Sequence, residues 1–206
     1  MPVPKGAALD PAQTRAMILA AAMRLLYERG LDGIGVAELC ASVGASKETL
    51  YRHFGSKDGL VRAALEARSD HVVRWLGEAA AGAGDDPADQ LAAVFDALGG
   101  WHAEPGFRGC AIVNAAVQRH DGAPRAVAAR HLDRHLDLLT GIARGAGVRD
   151  PAALGKQLLA LLEGATVLAD HRGGGGEAAG LAKHAALTLL RSARPGGHRS
   201  VSARST

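Results

Sequence analysis

Aromatic side chains are scarce in this chain: three Phe, two Trp and two Tyr make up 3% of its 206 residues. Any pocket must therefore be lined mostly by Ala, Leu and Val, and each Phe or Trp becomes a marker of something specific. Cysteine is scarcer still. Cys40 and Cys110 are the only two, too few for a disulfide framework or a four-thiolate zinc site. No uninterrupted apolar run approaches the roughly 18 residues that span a bilayer, and no signal-like apolar run opens the chain. A reducing cytoplasm is the expected compartment, with no membrane partner. Neither sign of charge dominates: 24 Lys and Arg against 21 Asp and Glu leave +3, which is compatible with nucleic acid but too weak to argue for it. Runs of alternating apolar and polar residues rich in β-branched types are also lacking, so no strand is expected.

What is present is helical periodicity in a composition of 48% hydrophobic and 22% charged residues, that of a folded globular chain. Asp-Pro precedes an apolar periodic stretch three times, at Asp10-Pro11, Asp86-Pro87 and Asp150-Pro151. An Asp side chain caps orphan N–H groups, and Pro at the first helical position loses no hydrogen bond. Beyond these starts, Ile18, Ala22, Leu25 and Leu26 share a helical face. So do Leu91, Val94, Phe95, Leu98 and His102, and likewise Leu154, Leu158, Leu161, Leu162, Ala165 and Leu168. Gly-rich breaks divide the chain into about nine helices. The fold expected is all-α, with short helices before Ser56 and longer ones after Lys57. That change marks the boundary between two functional regions, residues 10–56 and a larger domain at 57–194, flanked by an N-terminal arm (1–9) and a tail (195–206) expected to be mobile.

Residues 36–43 (VAELCASV) and 47–54 (KETLYRHF) read as two short helices about a Gly44-Ala45 turn, with Ser46 as cap for the second. This is a helix-turn-helix, whose second helix enters the major groove. Val36, Leu39, Leu50 and Phe54 form its small core with Leu25 and Leu26. Lys47, Thr49, Tyr51, Arg52 and His53 remain outward, a set rich in hydrogen-bond donors, and Lys57 opens the next helix beside them. A polar, solvated face would explain the charges alone. It would not explain their placement on a short helix after a tight turn.

Residues 11–60 resemble the N-terminal domain of TetR-type regulators, most closely through GASKETLYRHFGSKDGL from Gly44 to Leu60, which fits the pattern G-x-S-x-x-T-L-Y-x-H-F-x-S-K-x-x-L. The resemblance implies contacts from Thr49 and Tyr51 to the DNA backbone or base edges, and phosphate contacts from His53 and Lys57. Lys47 and Arg52 fall at the variable positions that set sequence preference. The chain departs from the pattern at Ile34, Gly35 and Ala37, where many relatives carry Thr, Ser and a basic residue. One phosphate contact is thereby lost, and Gly35 is left as a weaker cap.

For residues 61–194 the resemblance is architectural, apart from PGFRGCAIVNAAV (105–117), which is similar to an F-x-x-G-C-x-x-x-N segment in part of the family and is expected to form the sixth helix, buried on both sides. Asn114 is then either a ligand contact or a structural bond, and Cys110 reads as a small buried hydrophobe rather than a redox sensor. Candidate pocket residues are His71, Trp75, Phe95, Trp101, His102, Phe107, Cys110, Asn114 and His135, each of which can equally be core. His131 and His135 stand one turn apart, a spacing that can bind metal, but no further ligand follows at a persuasive spacing. No metal or cofactor is expected. For dimerisation, Leu154, Leu158, Leu161, Leu162 and Leu168, with Leu181, Ala185 and Leu189 beyond the Gly173–Gly176 hinge, suit a four-helix bundle with a twofold mate. No nucleophile elbow, phosphate-cradling loop or carboxylate pair suggests an enzyme. The expectation is a homodimeric repressor released from a palindromic operator by a small, largely apolar effector. A metal- or redox-responsive regulator of the same fold, or an all-α interaction protein, is the alternative.

Overall fold

Asp10, Asp86 and Asp150 each cap the helix they precede. In the computed structural model, which describes residues 10–195, their carboxylates accept from Ala12 N at 3.4 Å, Ala88 N at 2.7 Å and Ala153 N at 2.9 Å. Each such cap is worth about 1 kcal/mol. The described residues form nine helices and no strand: α1 Pro11–Arg29, α2 Val36–Val43, α3 Lys47–Phe54, α4 Lys57–Gly82, α5 Pro87–His102, α6 Ala111–Gln118, α7 Gly122–Gly145, α8 Pro151–Arg172 and α9 Glu177–Ala193. The all-α expectation holds. The arm (1–9) and residues 196–206 of the tail lie outside the described residues.

By packing, the chain divides into two compact units. The first runs to Asp70 and includes Cys110–Ala129; the second holds His71–Gly109 and the chain from Arg130 onward. α4 and α7 each contribute to both. In the first unit, Ile18, Ala22, Leu25 and Leu26 of α1 meet Leu39 of α2, Leu50 of α3 and Leu60 and Leu65 of α4, with Ile112 and Ala115 from α6 closing the core. In the second, Leu76, Leu91, Phe95, Leu98, Leu158, Leu162 and Ala186 are among its buried centre.

The sixth helix is shorter than the sequence suggests. It begins at Ala111 with Cys110 as N-cap, because Gly106 (φ 82°) and Gly109 (φ 70°) hold the preceding backbone in the left-handed region, which a right-handed helix cannot include. Phe107 therefore precedes the helix rather than sharing its face. Nor is the helix buried on both sides: Ile112 and Ala115 are buried, while Val117 is 63% exposed. The segment also reads Phe107-Arg108-Gly109-Cys110, one residue shorter between Phe and Gly than the F-x-x-G-C pattern, which confines that likeness to Gly109, Cys110 and Asn114.

Candidate DNA-binding and effector sites

The helix-turn-helix is built by local chemistry. Gly44 takes the left-handed conformation (φ 67°, ψ 24°) that ends α2, and Ala45 N donates to Cys40 O at 3.0 Å. Ser46 Oγ then accepts from Thr49 N at 3.0 Å and lies 2.9 Å from Thr49 Oγ1. On α3 only Leu50 is fully buried, which turns the opposite face outward: Lys47, Tyr51 and Arg52 are exposed, and Thr49 and His53 partly so. Arg52 Nη2 donates to Thr49 Oγ1 at 3.1 Å, so the guanidinium is folded back along the helix. Ser56 caps α4 through Gly59 N at 2.9 Å and brings Lys57 to its first turn. All six predicted DNA-binding residues thus lie within one stretch of α3 and the start of α4.

Three features of this unit escape sequence reasoning. Arg15 stacks its guanidinium over Phe54, 5.2 Å from the ring centroid, which braces the end of α3. Gln118 of α6 accepts from Leu31 N at 2.8 Å, 87 residues away, and fills the space beside Gly30, where an added Cβ would meet the amide at 2.7 Å. Arg119 adds an ion pair to Asp58 at 3.0 Å. No local pattern announces such links.

In the second unit the candidate effector residues separate into distinct environments. Trp75, Trp101, His102 and Phe107 form one aromatic cluster: Trp101 meets Phe107 edge-on at 4.9 Å and Trp75 at 6.2 Å, while His102 lies 4.9 Å from Phe107. Phe95 is instead a core residue, 1% exposed, and His71 is exposed. Cys110 and Asn114, partly buried, belong to the first unit. His102 Nε2 lies 3.3 Å from Thr166 Oγ1, and His135 Nδ1 lies 3.3 Å from Glu163 Oε1. Both histidines are 3% exposed, and His102 Nδ1 and His135 Nε2 have no hydrogen-bond partner among the described residues. The His131 ring lies against His135 at a tilt of 58°, with centroids 4.2 Å apart.

Burial pushes the His102 pKa below its ordinary value of 6.5. The unfolded chain takes up this proton as pH falls through about 6.5 while the folded chain resists, so stability falls on acidification in that range. The His102→Gln variant lacks this contribution, and its melting temperature is expected to drop less between pH 7.5 and 5.5 than that of the parent. Equal drops would show that His102 does not contribute.

Residues 18–64 match the model for bacterial regulatory proteins of the tetR family. A TetR transcriptional regulator from Streptomyces avermitilis is 31% identical, with 87% of this chain and 97% of that one covered at a TM-score of 0.76. The chain belongs to the TetR family. A TetR-family regulator from Streptomyces coelicolor superposes with a TM-score of 0.81 at 28% identity, over 89% of this chain and 97% of that one. The HTH-type transcriptional regulator BetI of Stenotrophomonas maltophilia is 36% identical over 86 residues, 40% of this chain. The chain spans less than half the length of that curated relative, 42%.

Against the TetR-family pattern, the departure at Gly35 has a structural counterpart. Gly35 is the N-cap of α2 and makes no side-chain cap bond, whereas Ile34, 1% exposed, is committed to the core. Gly35 has an extended backbone (φ −79°, ψ 117°) and its nearest neighbour to an added Cβ is Glu38 at 3.6 Å. Gly35→Ser therefore fits. It is expected to stabilise α2 by a few tenths of a kcal/mol and, by adding a donor for phosphate, to raise DNA affinity roughly two- to ten-fold in gel shifts.

The apolar stripe expected of the TetR-family dimer splits in two. Leu154, Leu158 and Leu162 are at most 3% exposed and belong to the unit's own core. Leu161, Ala185 and Leu189 are partly exposed, Leu168 is 48% and Leu181 67% exposed, and Val167, absent from the sequence reading, is 52% exposed. Of these, Leu161, Leu168, Leu181 and Ala185 line a groove of about 590 Å³ between α8 and α9, together with Ala160, Gly164, Ala178 and Ala182. Apolar on both faces, α8 is the one described helix long and apolar enough to cross a membrane by length and composition, although only 39% of its most apolar 18 residues are buried.

Proposed function

We propose that this TetR-family chain is a ligand-responsive transcriptional regulator: a cytoplasmic homodimer that binds a palindromic operator and is released from it by a small, largely apolar effector. The observation that carries the reading is the division of α3 into one buried residue, Leu50, and an outward face of Lys47, Thr49, Tyr51, Arg52 and His53. A helix presented this way fits the major groove, with Lys57 at the neighbouring phosphates. DNA binding is assigned to residues 10–56 with the start of α4, and effector binding and dimerisation to the rest of 57–194. The dimer reading is supported by the exposed apolar groove of α8 and α9, larger than scattered surface leucines require. Effector contacts are assigned to Trp75, Trp101, His102, Phe107 and His135. α4, which carries both Lys57 and Trp75, is the element through which the effector would change the spacing of the two recognition helices. That switch can be no larger than the effector's differential affinity for the two conformers.

The test is a gel shift on operator DNA selected from random sequence. Lys57→Ala is expected to weaken binding about ten-fold and to reduce the slope of log affinity against log salt by about 1. Tyr51→Ala is expected to weaken it comparably, with the dimer intact in sedimentation for both. Unchanged operator affinity in the two variants would remove this surface from the DNA interface.

A further inference from the structure

The hydrogen positions around α8 define what kind of molecule the second unit can recognise. Thr166 Oγ1 donates its single proton to Leu162 O at 3.1 Å. Its contact with His102 at 3.3 Å can then only be acceptance, so His102 carries its proton on Nε2 and presents a lone pair at Nδ1. His135 Nδ1 faces a carboxylate oxygen of Glu163 at 3.3 Å and donates to it, so in this tautomer the lone pair is at Nε2. Glu163 and Thr166 are three residues apart on one helix, hence neighbours on one face, with Cβ atoms about 5–6 Å apart. α8 thereby draws imidazoles from α5 and α7 to adjacent turns, and each turns an unpartnered, buried nitrogen acceptor away from it. Buried acceptors without partners are uncommon and costly. Two on neighbouring turns, one of them on a His102 ring that lies 4.9 Å from Phe107 and so joins the cluster of Trp75, Trp101 and Phe107, indicate a site built for a ligand.

We propose that the effector is a neutral aromatic molecule carrying hydrogen-bond donors, such as phenolic hydroxyls, which it gives to His102 Nδ1 and His135 Nε2 while its ring packs against Phe107 and Trp101. This rests on the reading of the chain as ligand-responsive and names the chemistry of that site. Anions are disfavoured, since two lone pairs would face them. Burial also holds His102 against protonation, keeping its acceptor available. A metal finds no support in the same residues: no group of three or more His, Cys, Asp or Glu among the described residues is arranged to hold one, and the His135 nitrogen nearest a carboxylate is already bonded to it.

The test compares 2,7-dihydroxynaphthalene, its dimethyl ether and 2-naphthoate by calorimetry on the full chain. The diol is expected to bind at least ten-fold more tightly than the diether, which has the same ring and no donors, and the carboxylate more weakly still. His102→Phe and His135→Phe should each narrow the gap between diol and diether. Long-range proton–nitrogen correlation spectra of the unaltered protein add a readout independent of any variant's folding. They should show His102 protonated at Nε2, with the Nδ1 resonance moving when the diol is added. Equal binding of diol and diether, or a His102 protonated at Nδ1, would overturn the proposal while leaving a ligand-responsive regulator in place. Binding of neither naphthalene would overturn it too. The broader reading is then judged separately, by whether any member of a chemically diverse fragment library shifts the melting temperature.

Discussion

Leu181→Asp is expected to convert the protein to a monomer in sedimentation and to lower its operator affinity at least a hundred-fold, while its helicity is unchanged. Leu181 is 67% exposed on α9 and sits at the α8–α9 groove beside Leu161 and Leu168. In the single chain an Asp there is solvated and harmless. In a twofold interface the same patch meets its own copy, so each substitution appears twice. An unpaired charge taken out of water costs roughly 3–5 kcal/mol, enough on two sides to outweigh an ordinary dimer contact. Loss of DNA binding then follows from geometry: a monomer holds one recognition helix, and with it about half the phosphate contacts that set affinity. The floor of small residues, Ala160, Gly164, Ala178 and Ala182, allows close approach of a partner helix but supplies little adhesion alone. That is why the leucines are the decisive positions. A variant that sediments as a dimer and binds its operator normally would move the interface elsewhere.

Leu50→Ala is expected to destabilise the DNA-binding head by about 2–5 kcal/mol, whereas Tyr51→Ala, one residue along the same helix, should leave its stability nearly unchanged. Leu50 is 0% exposed and meets a core shared by α1, α2 and α4; Tyr51 is 44% exposed. α3 has eight residues, too few to be stable by itself in water, and Leu50, its one fully buried side chain, is its main anchor, with Phe54 packed partly against the same core. Truncating that side chain leaves a cavity no short helix can close without shifting its register. Operator binding is therefore weakened in both variants, about ten-fold in Tyr51→Ala through a lost contact and further in Leu50→Ala because α3 itself is no longer held in place. Amide exchange across residues 36–54 separates them, fast in Leu50→Ala and near the parent's rate in Tyr51→Ala. Similar exchange in the two would mean that α3 is held by contacts other than Leu50.

The head was legible because its determinants are local. Asp10-Pro11, Gly44, Ser46 and Ser56 act within four residues of where they stand, through caps and a turn. The alternation of Leu50 with Lys47, Tyr51 and Arg52 states which way α3 faces. The proposed effector site was legible only as a set of candidates. Phe95 and His102 share an apolar stripe on α5, yet one is core and the other bonds across 64 residues to Thr166. Glu163 and Thr166 carried no signal in the sequence, since an acid and a hydroxyl on a long helix are ordinarily solvent-facing. The dimer stripe was half legible: helical spacing groups Leu154, Leu158, Leu161, Leu162 and Leu168, but cannot say which side of α8 the chain itself covers.

The sequence alone determined the helix starts and stops, the helix-turn-helix and the outward polar face of α3, because capping, turn geometry and 3.6-residue periodicity act over a few residues. Tertiary structure decided the rest. It selected which leucines of α8 are core and which stay exposed, tied Gln118 to Leu31, and oriented His102 and His135 with their unpartnered nitrogens buried. Those outcomes depend on which helix packs against which, and that is a property of distant residues brought into contact, not of any segment by itself.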